Sequence, residues 1–148
     1  MIDLIRKAAS EAGRLLMEKF ETGLRVEFKG KYDLVTEADR QSESLIVSMI
    51  RRQFPDHDIL AEEDDYGRQG SEYRWIIDPL DGTTNYAHGF PWFSVSIGLE
   101  IRGRLELGTV YNPYVGEMYF AHRGAGAYLN ERRLMEYGLL EVHIKSSG

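Results

Sequence analysis

An apolar run, Tyr73-Arg74-Trp75-Ile76-Ile77, stops at Asp78, and Pro79-Leu80-Asp81-Gly82-Thr83-Thr84-Asn85 follows. A strand buried as far as Ile77 must emerge at Asp78, because an unpaired carboxylate is costly to bury. Pro79 donates no hydrogen bond, so it is expected to end the ladder and turn the chain. The turn lets Asp78 and Asp81 converge, with the Leu80 carbonyl directed to the same place. Two carboxylates and a backbone carbonyl are hard oxygen ligands, suited to Mg²⁺, Mn²⁺ or Ca²⁺. Gly82-Thr83-Thr84-Asn85 reads as a helix start, where free amides and the positive end of the dipole attract an anion such as phosphate. Gly82 permits close backbone approach. Cations and phosphate side by side suit phosphoryl chemistry. The same residues also read as a capped turn, since Asp-Pro-x-Asp-Gly is common turn chemistry.

Two further clusters bear on that choice. Glu62 and Glu63 follow "ILA" at the end of another short apolar run, and Asp33, Thr36 and Asp39 precede a helical pattern. Alone, "EEDD" reads as a solvated loop and Asp39 as a helix cap.

The rest of the chain supplies the scaffold. Ile2, Ile5, Ala8, Ala9, Ala12, Leu15, Leu16 and Phe20 recur at helical spacing, which predicts a first helix over 2–21 ended by Thr22-Gly23. "LRVEF" reads as a short strand and "KGKYD" as a turn. Thr36 is the expected cap of a second helix over 36–54, with Leu45, Ile46, Met49, Ile50 and Phe54 on its buried face and Pro55 at its end. "DILAEE", "YRWIID", "FSVSIGLEI", "RLELGTVYN", "GEMYFAH" and "GAYLN" read as strands, with a hairpin turn at Arg102-Gly103. Two helices followed mostly by meandering strands predict an α+β layered sandwich, with both helices packed on an antiparallel sheet. Leu15, Leu16, Leu45, Ile46, Met49, Val95, Ile97 and Leu99 are the expected core.

The 148 residues fit one domain, and 43% hydrophobic residues suffice for a core. The net charge of −6 argues against a nucleic-acid partner and against a polybasic membrane anchor. With no cysteine there is no thiolate metal site, so any metal must use oxygen or imidazole ligands. The charged N-terminus is unlike a signal peptide, and no stretch approaches the roughly 20 apolar residues of a membrane span. A cytoplasmic location is expected.

Taken together, the motifs resemble the inositol monophosphatase family of magnesium-dependent, lithium-sensitive sugar phosphatases. "WIIDPLDGTTNYAHGFPWFSVSIGLE" is similar to the family's Asp-Pro-x-Asp-Gly-Thr-x-Asn signature. "ILAEED" is similar to its Gly-Glu-Glu motif, with Ala61 in place of the glycine. "KYDLVTEAD" resembles its Asp-x-Val-Thr-x-x-Asp motif, and "RGAGAYLN" its Gly-x-Gly-Ala strand entry. The resemblance implies that Glu62, Asp78, Asp81 and the Leu80 carbonyl bind Mg²⁺, with Mn²⁺ as a substitute. It implies that Gly82 and Thr83 offer amides to the substrate phosphate. Thr83, hydrogen-bonded to Asp39, would help Glu62 activate the attacking water. The implied reaction is hydrolysis of inositol monophosphate, or a similar small polyol or sugar phosphate, by metal-activated water. A homodimer is a possible assembly.

Family members are about twice this length, and their second half supplies another metal-binding aspartate in a Trp-Asp-x-Ala-Ala-Gly motif. Neither Trp75 nor Trp92 precedes an aspartate here. The resemblance is therefore to the N-terminal half of the family's αβαβα fold, over residues 1–134, with 135–148 as an atypical tail. The alternative reading is a truncated half-domain, weakly active or non-catalytic, that binds metal or a partner chain. Elsewhere, Gly124-Ala125-Gly126 reads as a turn into a strand, and Asp56-His57-Asp58 as a plain loop. Trp92, Phe93, Tyr111, Tyr114 and Tyr119 read mostly as packing residues.

Overall fold

A computed structural model of the chain describes residues 1–23, 28–61 and 66–134, with 28–33 described by their backbone alone. Two long helices, α1 (Ile2–Gly23) and α2 (Phe28–Gln53), lead into β1 (Asp58–Ala61) and β2 (Tyr73–Asp81). A short helix, α3 (Thr83–Ala87), precedes β3 (Ser94–Ile101), β4 (Arg104–Asn112), β5 (Glu117–His122), β6 (Gly126–Leu129) and β7 (Arg132–Arg133). The seven strands form one sheet in sequence order. The fold is α+β, with helices layered on the sheet.

Alternation along the strands makes the core. Trp75 and Ile77 on β2, Val95, Ile97 and Leu99 on β3, and Leu107 on β4 are all buried, as period-two strands require. Against them pack Ile5, Ala9, Ala12 and Leu16 of α1 and Ile46 and Ile50 of α2. Leu15, Leu45 and Met49, expected inside, are half-buried at the margins of the helix faces.

Several expectations are corrected. The sheet is mixed: β1 runs parallel to β2, pairing Asp58 with Arg74 and Ala61 with Ile77. Parallel neighbours cannot be joined by a tight hairpin turn. The second helix starts at Phe28, so Thr36 and Asp39 lie inside it and neither caps it. The reason is tertiary: half-buried Val35, immediately upstream of Thr36, packs against the core, and packing outweighs the local capping signal. "KGKYD" is helical for the same reason. Of the "LRVEF" strand, 24–27 lie outside the described residues and Phe28 begins α2. Thr22 is the penultimate residue of α1, its hydroxyl bonded to the Glu18 carbonyl at 2.9 Å. The tail at 135–148 also lies outside the described residues. Trp92, Tyr114 and Tyr119 are exposed, whereas Phe93 is buried. Arg102 and Gly103 both have positive φ, 54° and 76°, the backbone of a tight two-residue hairpin turn. Gly124 and Gly126 also have positive φ, and Gly126 begins β6.

His57 is no plain loop residue. Its ring stacks between Phe54 and Tyr73, with centroids 4.5 and 4.4 Å away. Trp75 Nε1 donates to His57 Nδ1 at 3.0 Å, which requires that nitrogen to be unprotonated. Burial lowers the His57 pKa below its ordinary 6.5, against the opposing pull of Asp56 and Asp58. The unfolded chain therefore binds this proton more readily than the folded one. The stability contributed by neutral His57 is full above pH 6.5 and is lost as pH falls through its lower, folded value. The urea midpoint is expected to drop between about pH 7 and about pH 5, and His57→Gln should flatten that part of the profile. An identical profile in the variant would contradict this account.

Candidate metal centre

The aspartates of β2 are brought together by a bulge. Asp78 pairs with Ser96, and the ladder resumes at Asp81 opposite Ser94. Pro79 and Leu80 thus face the single residue Val95, an arrangement of two residues against one. Pro79 does not end the strand, as expected from sequence; it occupies a bulge, where its missing donor costs no ladder bond. The consequence is geometric. Residues three apart on a regular strand point to opposite faces. Ser94 and Ser96 are two apart and share a face, and cross-strand partners share that face. The bulge therefore places Asp78 and Asp81 on the same side of the sheet. Asp78 is half-buried and Asp81 exposed.

Immediately after Asp81, Gly82 is the N-cap of α3, in the left-handed region at φ 86°. A Cβ there would lie 3.0 Å from the Trp92 carbonyl oxygen. Conformation and space both demand glycine. Gly82→Ala is expected to cost roughly 1–3 kcal/mol, the range for a non-glycine residue held in such a conformation. Urea denaturation of the variant measures this, and an unchanged midpoint would refute it.

The helix that follows is anchored firmly. Tyr86 Oη donates to the Leu16 carbonyl of α1 at 2.8 Å, and its ring packs against Phe20 and Phe93. Burial pushes the Tyr86 phenol far above its ordinary pKa, so it stays a neutral donor. Asn85 Nδ2 donates to the Trp92 carbonyl at 2.9 Å. The start of α3, with Thr83 exposed, is thus held beside the aspartates.

The surroundings are tied to α2. Ser42, fully buried, donates to the Pro79 carbonyl at 2.8 Å inside the bulge. Asp39, one turn earlier on the same helix, is half-buried. Glu43, also buried, accepts from Tyr66 Oη at 2.8 Å, and the Arg51 guanidinium lies 5.0 Å from the Tyr66 ring centre. Asp58 accepts from the Gln69 and Ser71 amides at 2.6 and 3.1 Å. These last contacts fasten the chain on the far side of residues 62–65. Glu62 lies outside the described residues; the last β1 pair is Ala61 with Ile77, and Glu62 and Asp78 are the next residues in sequence. Among the described residues no three carboxylates or imidazoles cluster for a metal. Nor does a hydrogen bond join Thr83 to Asp39 among those residues, although α2 and α3 pack together.

The sequence profile of the inositol monophosphatase family matches residues 1–146. The chain belongs to the inositol monophosphatase family. Over 145 residues it is 41% identical to the inositol-1-monophosphatase of Mesorhizobium japonicum, covering 96% of this chain and 54% of that relative. Over 137 residues it is 42% identical to the Nus factor SuhB of Vibrio cholerae, covering 90% of this chain and 51% of that relative. Its fold matches the solved structure of an inositol monophosphatase from Anabaena sp. PCC 7120 with a TM-score of 0.78, at 43% identity, over 91% of this chain and 48% of that one. The chain spans about half the length of the curated relatives it matches.

Within this inositol monophosphatase fold, sequence reasoning singled out Asp78, Leu80, Asp81, Gly82 and Thr83, which are contiguous in space. It passed over Ser42, Glu43 and Tyr66, and read Asp58 as part of a plain loop. A polar residue on the apolar stripe of a helix, as at Ser42 and Glu43, is the one signal that pointed to them.

Proposed function

We propose that this chain supplies the metal- and phosphate-binding half of a Mg²⁺-dependent phosphomonoesterase acting on inositol monophosphate or a similar small polyol or sugar phosphate. The observation that carries the reading is the β2 bulge, which sets Asp78 and Asp81 on one face directly before the Gly82 cap. The donor set fits the ion: carboxylates and a backbone carbonyl are hard oxygens, and Mg²⁺ keeps several waters besides. Asp78, Asp81, the Leu80 carbonyl and Glu62 are the proposed ligands. When bound, a divalent cation there polarises the phosphoryl oxygens and lowers the pKa of coordinated water.

The chain's own groups do the rest. The Gly82 and Thr83 amides hold the phosphate at the start of α3. Thr83 Oγ1 and Asp39, on packed neighbouring helices, orient the attacking water, and the Glu62 carboxylate accepts its proton. The domain assignment is 1–134 for this unit and 135–148 for the tail.

The second reading is a truncated half-domain, non-catalytic or weakly active, that binds metal or a partner chain; the chain covers 54% of the Mesorhizobium relative. The family's Trp-Asp-x-Ala-Ala-Gly aspartate is not among these 148 residues. The 148-residue chain alone is therefore expected to bind one Mn²⁺ per chain in an electron paramagnetic resonance titration. Its Mg²⁺-dependent release of phosphate from inositol monophosphate should be slower than the ordinary enzyme range of roughly 1–10³ s⁻¹. EDTA should abolish it. Release unaffected by EDTA would overturn the phosphatase reading, and two equivalent sites with ordinary turnover would overturn the half-site reading.

A further inference from the structure

We infer that Ser42 is a positioning residue of the metal centre, acting through the backbone of Pro79. The inference rests on the metal-binding reading of Asp78 and Asp81 given above.

Pro79 sits between the two aspartates, and its two backbone torsions are controlled by different agents. The pyrrolidine ring fixes φ. Nothing in the residue itself fixes ψ, and the bulge interrupts the ladder at this point, with Pro79 and Leu80 facing one residue of β3. The Pro79 carbonyl instead accepts the Ser42 hydroxyl at 2.8 Å. That bond orients the Pro79–Leu80 peptide plane and so fixes ψ. Ring and hydroxyl together hold the bulge in one conformation.

The stretch between the two registered pairs depends on that plane. Asp78 is held opposite Ser96 and Asp81 opposite Ser94, so a rotation of ψ at Pro79 swings the Leu80 carbonyl between them and alters how the chain enters Asp81. Ser42 reaches this carbonyl from outside the sheet because α2 packs on β2. It is fully buried, so water cannot readily replace the hydroxyl. A buried serine on the apolar face of a helix is otherwise unfavourable there, since its oxygen must find a partner. Its one-turn neighbour Asp39 lies on the same side of α2, so the bond also sets the spacing between that carboxylate and the bulge. Metal affinity depends on ligands held in place before the ion arrives. Losing the partner that orients a ligand typically weakens metal binding 10–100-fold.

The test compares two buried hydroxyl–carbonyl bonds of equal length. Thr109 on β4 donates to the Tyr119 carbonyl at 2.8 Å and is likewise buried, but lies two strands from β2. Mn²⁺ binding to the full chain is followed by electron paramagnetic resonance, with thermal melting in parallel, for wild type, Ser42→Ala, Ser42→Cys and Thr109→Val. Ser42→Ala is expected to weaken Mn²⁺ binding about 10-fold or more. Ser42→Cys, with its weaker donor, should fall between it and wild type, and carries the test if the alanine variant does not fold. Thr109→Val should melt earlier yet bind Mn²⁺ within about twofold of wild type. Wild-type affinity in the Ser42 variants, or an equal loss in Thr109→Val, would overturn the positioning role while leaving the metal site standing. Absence of saturable Mn²⁺ binding in the wild type would overturn the metal reading itself, and this inference with it.

Discussion

Asp81→Ala is expected to eliminate Mg²⁺-dependent phosphate release from the chain while leaving its stability almost untouched. Asp81 is exposed, and the backbone pairing with Ser94 survives the substitution. A surface change of this kind usually moves stability by no more than about 0.5 kcal/mol. The functional cost is of a different order. Removing an outer partner of a ligand typically costs 10–100-fold, so removing a charged ligand should exceed about 100-fold in turnover. Mn²⁺ titration, phosphate-release kinetics and urea denaturation of the same preparation separate the two effects. Activity within a few-fold of wild type would remove Asp81 from the centre. A large drop in the urea midpoint would show that Asp81 is structural.

Trp75→Ala is expected to have the largest effect on folding. Trp75 is fully buried in β2, between Ile59 of β1 and Leu99 of β3 in register. Its indole donates to His57 and lies 6.4 Å from the Phe54 ring. Truncating a buried tryptophan typically costs about 3–5 kcal/mol. Set against a usual total of about 5–15 kcal/mol, the loss leaves the chain marginal. Trp92, 61% exposed, is the internal comparison, and Trp92→Ala should stay within about 0.5 kcal/mol. Far-UV circular dichroism in urea follows both, since each substitution removes one of only two tryptophans. Similar midpoints for the two variants would contradict the burial argument.

Much of this molecule is legible in short windows of sequence because the responsible forces are local. The periodicities of α1 and β3, the Arg102-Gly103 turn and the start of α3 after Gly82 all follow from side-chain spacing or from φ preferences within a few residues. The oxygen character of the proposed ligands Asp78 and Asp81 also follows from residue type alone. Where a local signal competed with packing, it lost. Thr36 has the chemistry of a cap, but Val35 before it packs against the core and the helix starts back at Phe28.

Amino-acid identity by itself determined which groups are available: two aspartates around a proline, a glycine free to take positive φ, and no thiolate anywhere. Only the tertiary structure decided how those groups face one another. Three residues of separation place Asp78 and Asp81 on opposite faces of a regular strand. Pairing with β3 absorbs one residue in a bulge and turns both to the same face. The parallel docking of β1 beside β2 joins Asp58 to Arg74, 16 positions apart, and the Ser42 bond to Pro79, from helix to sheet, spans 37. Such contacts depend on the packing of whole elements, which no short window of sequence contains.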